Sequence, residues 1–128
     1  MLRRMKHSPG FLALVGDARQ RIRECGIAAV RARLDRGERF HLVDVREDGE
    51  FAVDRIAGAR HIGRGVLERD VETLIPGKDE PIVLYCGGGF RSALAADNLQ
   101  RMGYTNVESL DGGIRAWREA AYPIEKGK

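Results

Sequence analysis

The sequence has few of the residues that mark specialised classes of protein. Only two cysteines and three histidines occur among 128 residues, and their spacing fits no metal-ligand pattern. No apolar run approaches the ~20 residues that span a bilayer, and the run after the basic start is too short for a secretory signal. We therefore expect no metal and no membrane contact, and we expect a cytoplasmic protein with reduced thiols.

The chain also lacks a large excess of charge of one sign. The 22 Lys and Arg residues nearly balance the 19 Asp and Glu residues, giving a net charge of +3. The two signs alternate along the chain without aromatic residues between basic ones, which argues against a nucleic-acid partner. Hydrophobic residues make up 43% and charged residues 32% of the sequence, as is typical of a folded globular domain.

The most informative segment is residues 81–92, in which an apolar run leads into Cys86 and three glycines. Phe90, Arg91 and Ser92 follow, and a helical pattern begins there. A glycine loop and a helix start both present N–H donors to an anion, and a nearby guanidinium favours a thiolate. A plain strand-to-helix turn with an incidental buried cysteine explains neither the glycines nor Arg91. The segment predicts a nucleophilic cysteine in an anion-binding loop.

The rest of the chain alternates between helical and strand patterns. Helices are predicted over residues 11–24, 27–36, 65–74, 92–102 and 114–120, and strands over residues 40–45, 59–62, 82–85 and 106–110. This alternation predicts a parallel sheet covered by helices on both faces, with the reactive site beyond the carboxyl ends of its strands. Cys25 lies in a helical pattern and is interpreted as a packing thiol.

Together these segments resemble the rhodanese family. The resemblance covers residues 12 to 125 and rests on the order and spacing of several motifs. These are Leu42-Val43-Asp44-Val45-Arg46-Glu47, Glu50-Phe51, Ile56-Ala57-Gly58-Ala59-Arg60-His61-Ile62, Leu84-Tyr85-Cys86 through Arg91-Ser92, Gly103-Tyr104, Leu110-Asp111-Gly112-Gly113-Ile114, Trp117 and Pro123.

The resemblance implies a three-layer α/β domain over residues 11–125, preceded by a basic extension of residues 1–10. It also implies a sulfurtransferase that carries sulfur as a persulfide on Cys86, without a cofactor. Its partners would be a small anionic sulfur donor, such as thiosulfate or a persulfide, and a thiophilic acceptor: cyanide, a thiol or a protein. The loop that holds the sulfur maps onto Gly87, Gly88, Gly89, Phe90, Arg91 and Ser92.

The number of residues between Cys86 and Arg91 distinguishes between the possible reactions. Four residues lie between Cys86 and Arg91, whereas related phosphatases and arsenate reductases have one more, and a phosphate needs a wider ring of N–H donors. Neither Asp44 nor Asp111 has the sequence context of a general acid. Sulfur transfer is therefore preferred over phosphate or arsenate chemistry. A partner-specific persulfide carrier, which needs the same loop, stays open as an alternative.

Several polar residues are expected to support the loop. Asp44, Arg46 and Glu50 are predicted to form a buried polar network with no part in proton transfer. Arg91 has two interpretations: it binds the anionic donor, or it pairs with an acidic residue and holds the loop open. Phe90 either shapes the entrance for the acceptor or only packs.

Two positions depart from the pattern of the family. Asp54-Arg55 stands where relatives often have Gly-His; an aspartate can occupy a left-handed helix end at some cost, so we expect the fold to survive this change. Ala121 stands where relatives often have glycine. Both positions lie outside the loop, so they affect local turns more than chemistry.

Overall fold

The computed structural model describes residues 7–127, which form six helices and seven strands. The helices are α1 (Pro9–Arg19), α2 (Ile27–Asp35), α3 (Asp48–Val53), α4 (Leu67–Leu74), α5 (Phe90–Arg101) and α6 (Gly113–Glu119). The strands are β1 (Arg23–Cys25), β2 (His41–Asp44), β3 (Asp54–Ile56), β4 (Arg60–His61), β5 (Ile82–Tyr85), β6 (Val107–Leu110) and β7 (Ile124–Lys126).

Five of the strands form the central sheet in the order β1-β6-β5-β2-β4. Every neighbouring pair in this sheet is parallel, with Asp44 opposite Tyr85 and Leu84 opposite Ser109. The predicted parallel sheet is therefore confirmed. The carboxyl ends of β2, β5 and β6 lie side by side, which brings residues 45, 86 and 111 to one edge.

Helices cover both faces of the sheet, so the predicted three layers are confirmed. Successive side chains of β5 point to opposite faces, and each face has its own core. Leu84 packs in the core that contains residues of α4 and α5, such as Leu99. Tyr85 packs in the other core with Trp117 of α6 and Val30 of α2. Helix α1 packs against α5.

The predicted helix over residues 11–24 is wrong after residue 19. Helix α1 ends at Arg19, and residues 23–25 form the edge strand β1, which pairs with β6. Backbone pairing with a strand distant in sequence outweighs the local helical spacing of apolar residues. Cys25 is consequently a strand residue, packed against the second core, and burial raises the pKa of its thiol to about 12.

Asp54 does not occupy a left-handed helix end. Asp54 is extended, with φ −159°, and begins strand β3, which pairs with β7 in a small antiparallel sheet that the sequence patterns did not indicate. Its buried carboxylate accepts hydrogen bonds from Arg118, the shorter at 2.7 Å, and lies 3.7 Å from Arg46. The guanidinium of Arg118 lowers the pKa of Asp54. Asp54 therefore holds this segment through ion pairs with arginines.

Ala121 is the one non-glycine residue with a left-handed backbone (φ 59°) among residues 7–127. This conformation places the Cβ of an L-residue close to the following carbonyl oxygen. We expect Ala121→Gly to stabilise the fold by about 0.5–1 kcal/mol, because relief of that contact exceeds the added entropy of the unfolded chain. Urea unfolding measures the change.

The neighbouring residue provides the matched control. Ala120 has φ −82°, so Ala120→Gly relieves no strain and is expected to lower stability by up to about 1 kcal/mol. Equal changes for the two variants would contradict a strained Ala121.

Residues 1–6 of the predicted N-terminal extension lie outside the described residues. Its last two residues, Pro9 and Gly10, are the first two residues of α1, which Ser8 caps. In the described part of the chain, no helix is both long and apolar enough to span a membrane.

Candidate active site

Cys86 lies at the carboxyl edge of the central sheet, directly after β5. The loop from Gly87 to Gly89 connects it to Phe90, the first residue of α5. Cys86 is 1% exposed, so its side chain is almost completely buried. The thiol thus lies between the end of a buried strand and the start of a helix.

Two backbone N–H groups donate hydrogen bonds to the sulfur of Cys86. The N–H of Gly89 lies 3.2 Å and that of Ser92 lies 3.4 Å from Sγ. The hydroxyl of Ser92 is 3.6 Å from the sulfur and 2.8 Å from the hydroxyl of Ser109 on β6. Backbone N–H groups at a helix start are the donors that anionic groups bind in proteins. Ser109, which the sequence reasoning missed, extends the polar contacts beneath the thiol.

The three glycines of the loop serve different purposes. Only Gly89 is left-handed (φ 98°), which turns the chain into α5. At Gly87, a Cβ would lie 3.3 Å from Nη2 of Arg91. At Gly88, the nearest atom to a Cβ is Nη1 of Arg115, at 3.4 Å. Small residues at 87 and 88 therefore leave room for two guanidinium groups beside the loop.

The first turn of α6 donates hydrogen bonds to the backbone of the loop. The N–H of Ile114 donates to the carbonyl of Cys86 at 2.9 Å, and that of Arg115 donates to the carbonyl of Gly87 at 3.0 Å. Gly113 is left-handed (φ 56°), and a Cβ there would lie 2.5 Å from the Cys86 carbonyl oxygen. Sequence reasoning did not assign these residues to the site. The signal was the Asp111-Gly112-Gly113 turn, which follows a neighbouring parallel strand.

The loop opens into a pocket of about 350 Å³. Its lining residues are His7, Phe11, Cys86, Gly87, Gly88, Phe90, Arg91 and Arg115. Phe90 is half-buried and contacts both aromatic residues of the N-terminal segment, with ring centroids 4.4 Å from His7 and 6.1 Å from Phe11. Phe90 therefore lines the pocket and packs against α1 at once. A larger pocket, of about 460 Å³, lies beside His41, at the opposite edge of the sheet.

Arg91 pairs with an acidic residue. Its Nη1 donates to Oε1 of Glu50 at 3.0 Å, and both side chains are half-exposed. Glu50 raises the pKa of Arg91, and Arg91 lowers the pKa of Glu50. Glu50 also accepts from the N–H of Glu47 in the capping box of α3. The pair connects the loop to the start of α3.

Asp44 and Arg46 form a separate, buried pair. Arg46 donates to both carboxylate oxygens of Asp44, the shortest bond being 2.8 Å, and to the carbonyl of Asp54 at 2.6 Å. The two side chains are 0% and 3% exposed. The sequence predicted a single network of Asp44, Arg46 and Glu50. In the structure, direct hydrogen bonds join Asp44 to Arg46, whereas Glu50 bonds to Arg91 instead. The buried pair fixes the chain between β2 and α3.

No group of three or more His, Cys, Asp or Glu side chains in residues 7–127 is placed to hold a metal ion. Both cysteines are free thiols. The chemistry that these residues offer is nucleophilic attack by sulfur on a group held by N–H donors.

The Glu50–Arg91 pair predicts a coupling energy. In a double-mutant cycle of Glu50→Gln and Arg91→Gln, we expect a coupling of about 0.5–1 kcal/mol at neutral pH, because the pair is partly exposed. Glutamine at 50 keeps an acceptor for the capping box. Urea unfolding of the four proteins gives the value.

The pH dependence checks the same pair. Because the pKa of Glu50 is lower in the folded protein than its ordinary value of 4.5, the coupling energy should be fully present above pH 4.5. It should be lost as the pH falls through the lower folded value. A coupling of zero at neutral pH would mean that Arg91 does not hold the loop through Glu50.

Comparison with known proteins gives consistent findings. The family model of the rhodanese-like domain matches residues 27–120. The thiosulfate sulfurtransferase of Pseudomonas aeruginosa (strain LESB58) is 37% identical over 99 residues, which are 77% of this chain and 87% of that protein. The rhodanese-like domain of an Anabaena protein matches with TM-score 0.76 and 26% identity, over 80% of this chain and 78% of that one.

A further solved structure matches almost the whole chain. It is a protein of unknown function from Rhodopseudomonas palustris, described as a possible tyrosine phosphatase. It has TM-score 0.82 and 32% identity and covers 96% of this chain and 99% of that one.

Proposed function

Because the chain belongs to the rhodanese-like domain family, we propose that it is a sulfurtransferase whose Cys86 carries the sulfur as a persulfide. One observation carries the proposal: the buried sulfur of Cys86 accepts two backbone N–H bonds at the base of an open pocket. These donors stabilise a thiolate before the reaction and an anionic persulfide after it. The two free thiols fit a reducing compartment, and we propose the cytoplasm.

The reaction is a double displacement. The thiolate of Cys86 attacks the outer sulfur of thiosulfate, the S–S bond of the donor breaks, and its electron pair leaves with sulfite. Cys86 then carries one additional sulfur, bonded to Sγ. In the second step a nucleophilic acceptor, such as cyanide or a thiolate, attacks that outer sulfur and the electron pair returns to the Cys86 thiolate.

Intact mass spectrometry tests the proposal. We expect the wild-type protein to gain one sulfur atom on incubation with thiosulfate or a small-molecule persulfide, and to lose it to cyanide with formation of thiocyanate. Cys25→Ser is the matched control and should load fully, since burial keeps Cys25 protonated. A protein that takes up no sulfur from any of these donors would contradict the proposal.

Phosphate-ester hydrolysis is the second candidate, because the matching Rhodopseudomonas protein is described as a possible tyrosine phosphatase. The four-residue spacing between Cys86 and Arg91 supports sulfur transfer instead. An aryl phosphate assay on the same preparation separates the two, and we expect no release of phosphate. A partner-specific carrier would load sulfur but pass it to cyanide slowly.

A further inference from the structure

The pocket above Cys86 has two chemically different sides. One side is aromatic, formed by Phe90 with His7 and Phe11 packed against it. The guanidinium of Arg19 lies over Phe90, 4.9 Å from the ring centroid, and donates to the carbonyl of Gly89. The aromatic side is therefore held in place by α1.

The other side carries Arg115, whose guanidinium lies beside Gly88. The remaining arginines near the loop are paired: Arg91 with Glu50, and Arg19 with Glu24. No carboxylate of residues 7–127 lies within ion-pair distance of Arg115. Arg115 is exposed, and its backbone N–H is fixed to the loop by the bond to Gly87. It is thus a cation available to a bound anion.

We propose that this pocket selects an organic hydropersulfide that carries a carboxylate as the sulfur donor. The carboxylate binds Arg115, and the organic body packs against Phe11 and Phe90. This inference rests on the proposed sulfurtransferase function. A volume of about 350 Å³ suits a small organic molecule, whereas inorganic thiosulfate has no organic body to cover the aromatic side.

The transfer balances without any further reactant. The Cys86 thiolate attacks the outer sulfur of the donor R–S–S⁻, a new S–S bond forms at Cys86, and the S–S bond of the donor breaks. The electron pair of that bond leaves with the thiolate R–S⁻. Arg115 touches the carboxylate of the donor and takes no part in bond breaking.

A matched pair of donors tests the proposal: the hydropersulfides of N-acetylcysteine and of N-acetylcysteine amide, which differ only in the carboxylate. The rate of sulfur loading at limiting donor is followed by quenching and intact mass. We expect the wild type to prefer the acid by about tenfold, as a charge-assisted hydrogen bond allows. In Arg115→Gln the acid-to-amide ratio should fall to about one.

Arg39→Gln is the matched control, since Arg39 is an exposed arginine at the opposite edge of the sheet and its loss changes the net charge equally. It should keep the wild-type ratio. For the aromatic side, Phe11→Ala should lower the rate for the acid relative to thiosulfate by about threefold or more, and an unchanged ratio overturns that part.

The outcomes separate the two proposals. If thiosulfate loads Cys86 but the wild-type acid-to-amide ratio is one, or Arg115→Gln keeps the ratio, the donor inference is overturned and the sulfurtransferase proposal stands. If neither hydropersulfide nor thiosulfate loads Cys86, both are overturned.

Discussion

Cys86→Ser is expected to abolish sulfur loading and to lower thiocyanate formation by at least about a thousandfold, as loss of a covalent nucleophile does in other enzymes. A serine hydroxyl is not ionised at neutral pH and forms no persulfide. The N–H groups of Gly89 and Ser92, which donate to the sulfur, can donate to a hydroxyl oxygen in its place. The fold should therefore be retained. Thiocyanate formation and thermal unfolding measure the two effects.

The second cysteine makes this prediction selective. Cys25→Ser should keep nearly all activity, because the pKa of the Cys25 thiol is raised to about 12 by burial and the side chain packs away from the pocket. Substantial turnover in Cys86→Ser, or a loss of activity in Cys25→Ser, would move the reaction to a different nucleophile.

The loop that follows Cys86 was predictable as a strand-to-helix connection because its signals are local. An apolar strand, Cys86, the glycines and a helix start follow one another within residues 81–92, and each signal limits the conformation of its neighbours. The alternation of strands and helices is similarly local, and it predicts the parallel sheet. The position of Cys86 between a strand and a glycine loop could therefore be predicted from a short segment of the chain.

The residues that sequence reasoning missed act through contacts between distant segments. Strand β1 has three residues and is stable only through its pairing with β6, so its local spacing fits a helix equally well. Gly113 and Arg115 reach the loop because β5 and β6 are adjacent in the sheet. His7 and Phe11 reach it because α1 packs on α5. Neither adjacency is encoded near Cys86 in the sequence.

The pairing of Glu50 with Arg91 shows the same limit. The sequence indicates that both residues lie near the loop, but it gives no distance between them. The prediction from sequence therefore grouped Glu50 with Asp44 and Arg46. The structure places Glu50 at the start of α3, where its carboxylate reaches Arg91 at 3.0 Å. Partner choice among several nearby charges depends on three-dimensional placement.

Gly113→Ala is expected to destabilise the fold by about 3 kcal/mol and to impair sulfur loading. An alanine at φ 56° costs about 1–2 kcal/mol, and its Cβ would lie 2.5 Å from the Cys86 carbonyl and 2.6 Å from that of Gly87. The backbone shift that removes such overlap costs about 1–3 kcal/mol more. The shift must move α6 away from the loop, which breaks the N–H bonds from Ile114 and Arg115.

The loading rate separates a local effect from general destabilisation. Measured well below the unfolding temperature, Gly113→Ala should load sulfur more slowly than the wild type, since the carbonyls of Cys86 and Gly87 lose the donors that fix the loop. Gly16→Ala is the matched control: Gly16 is an exposed residue of α1 with open space around its Cβ position. It should gain about 0.5–1 kcal/mol of stability and load normally. If Gly113→Ala loses stability but loads at the wild-type rate, the first turn of α6 stabilises the fold without positioning the nucleophile.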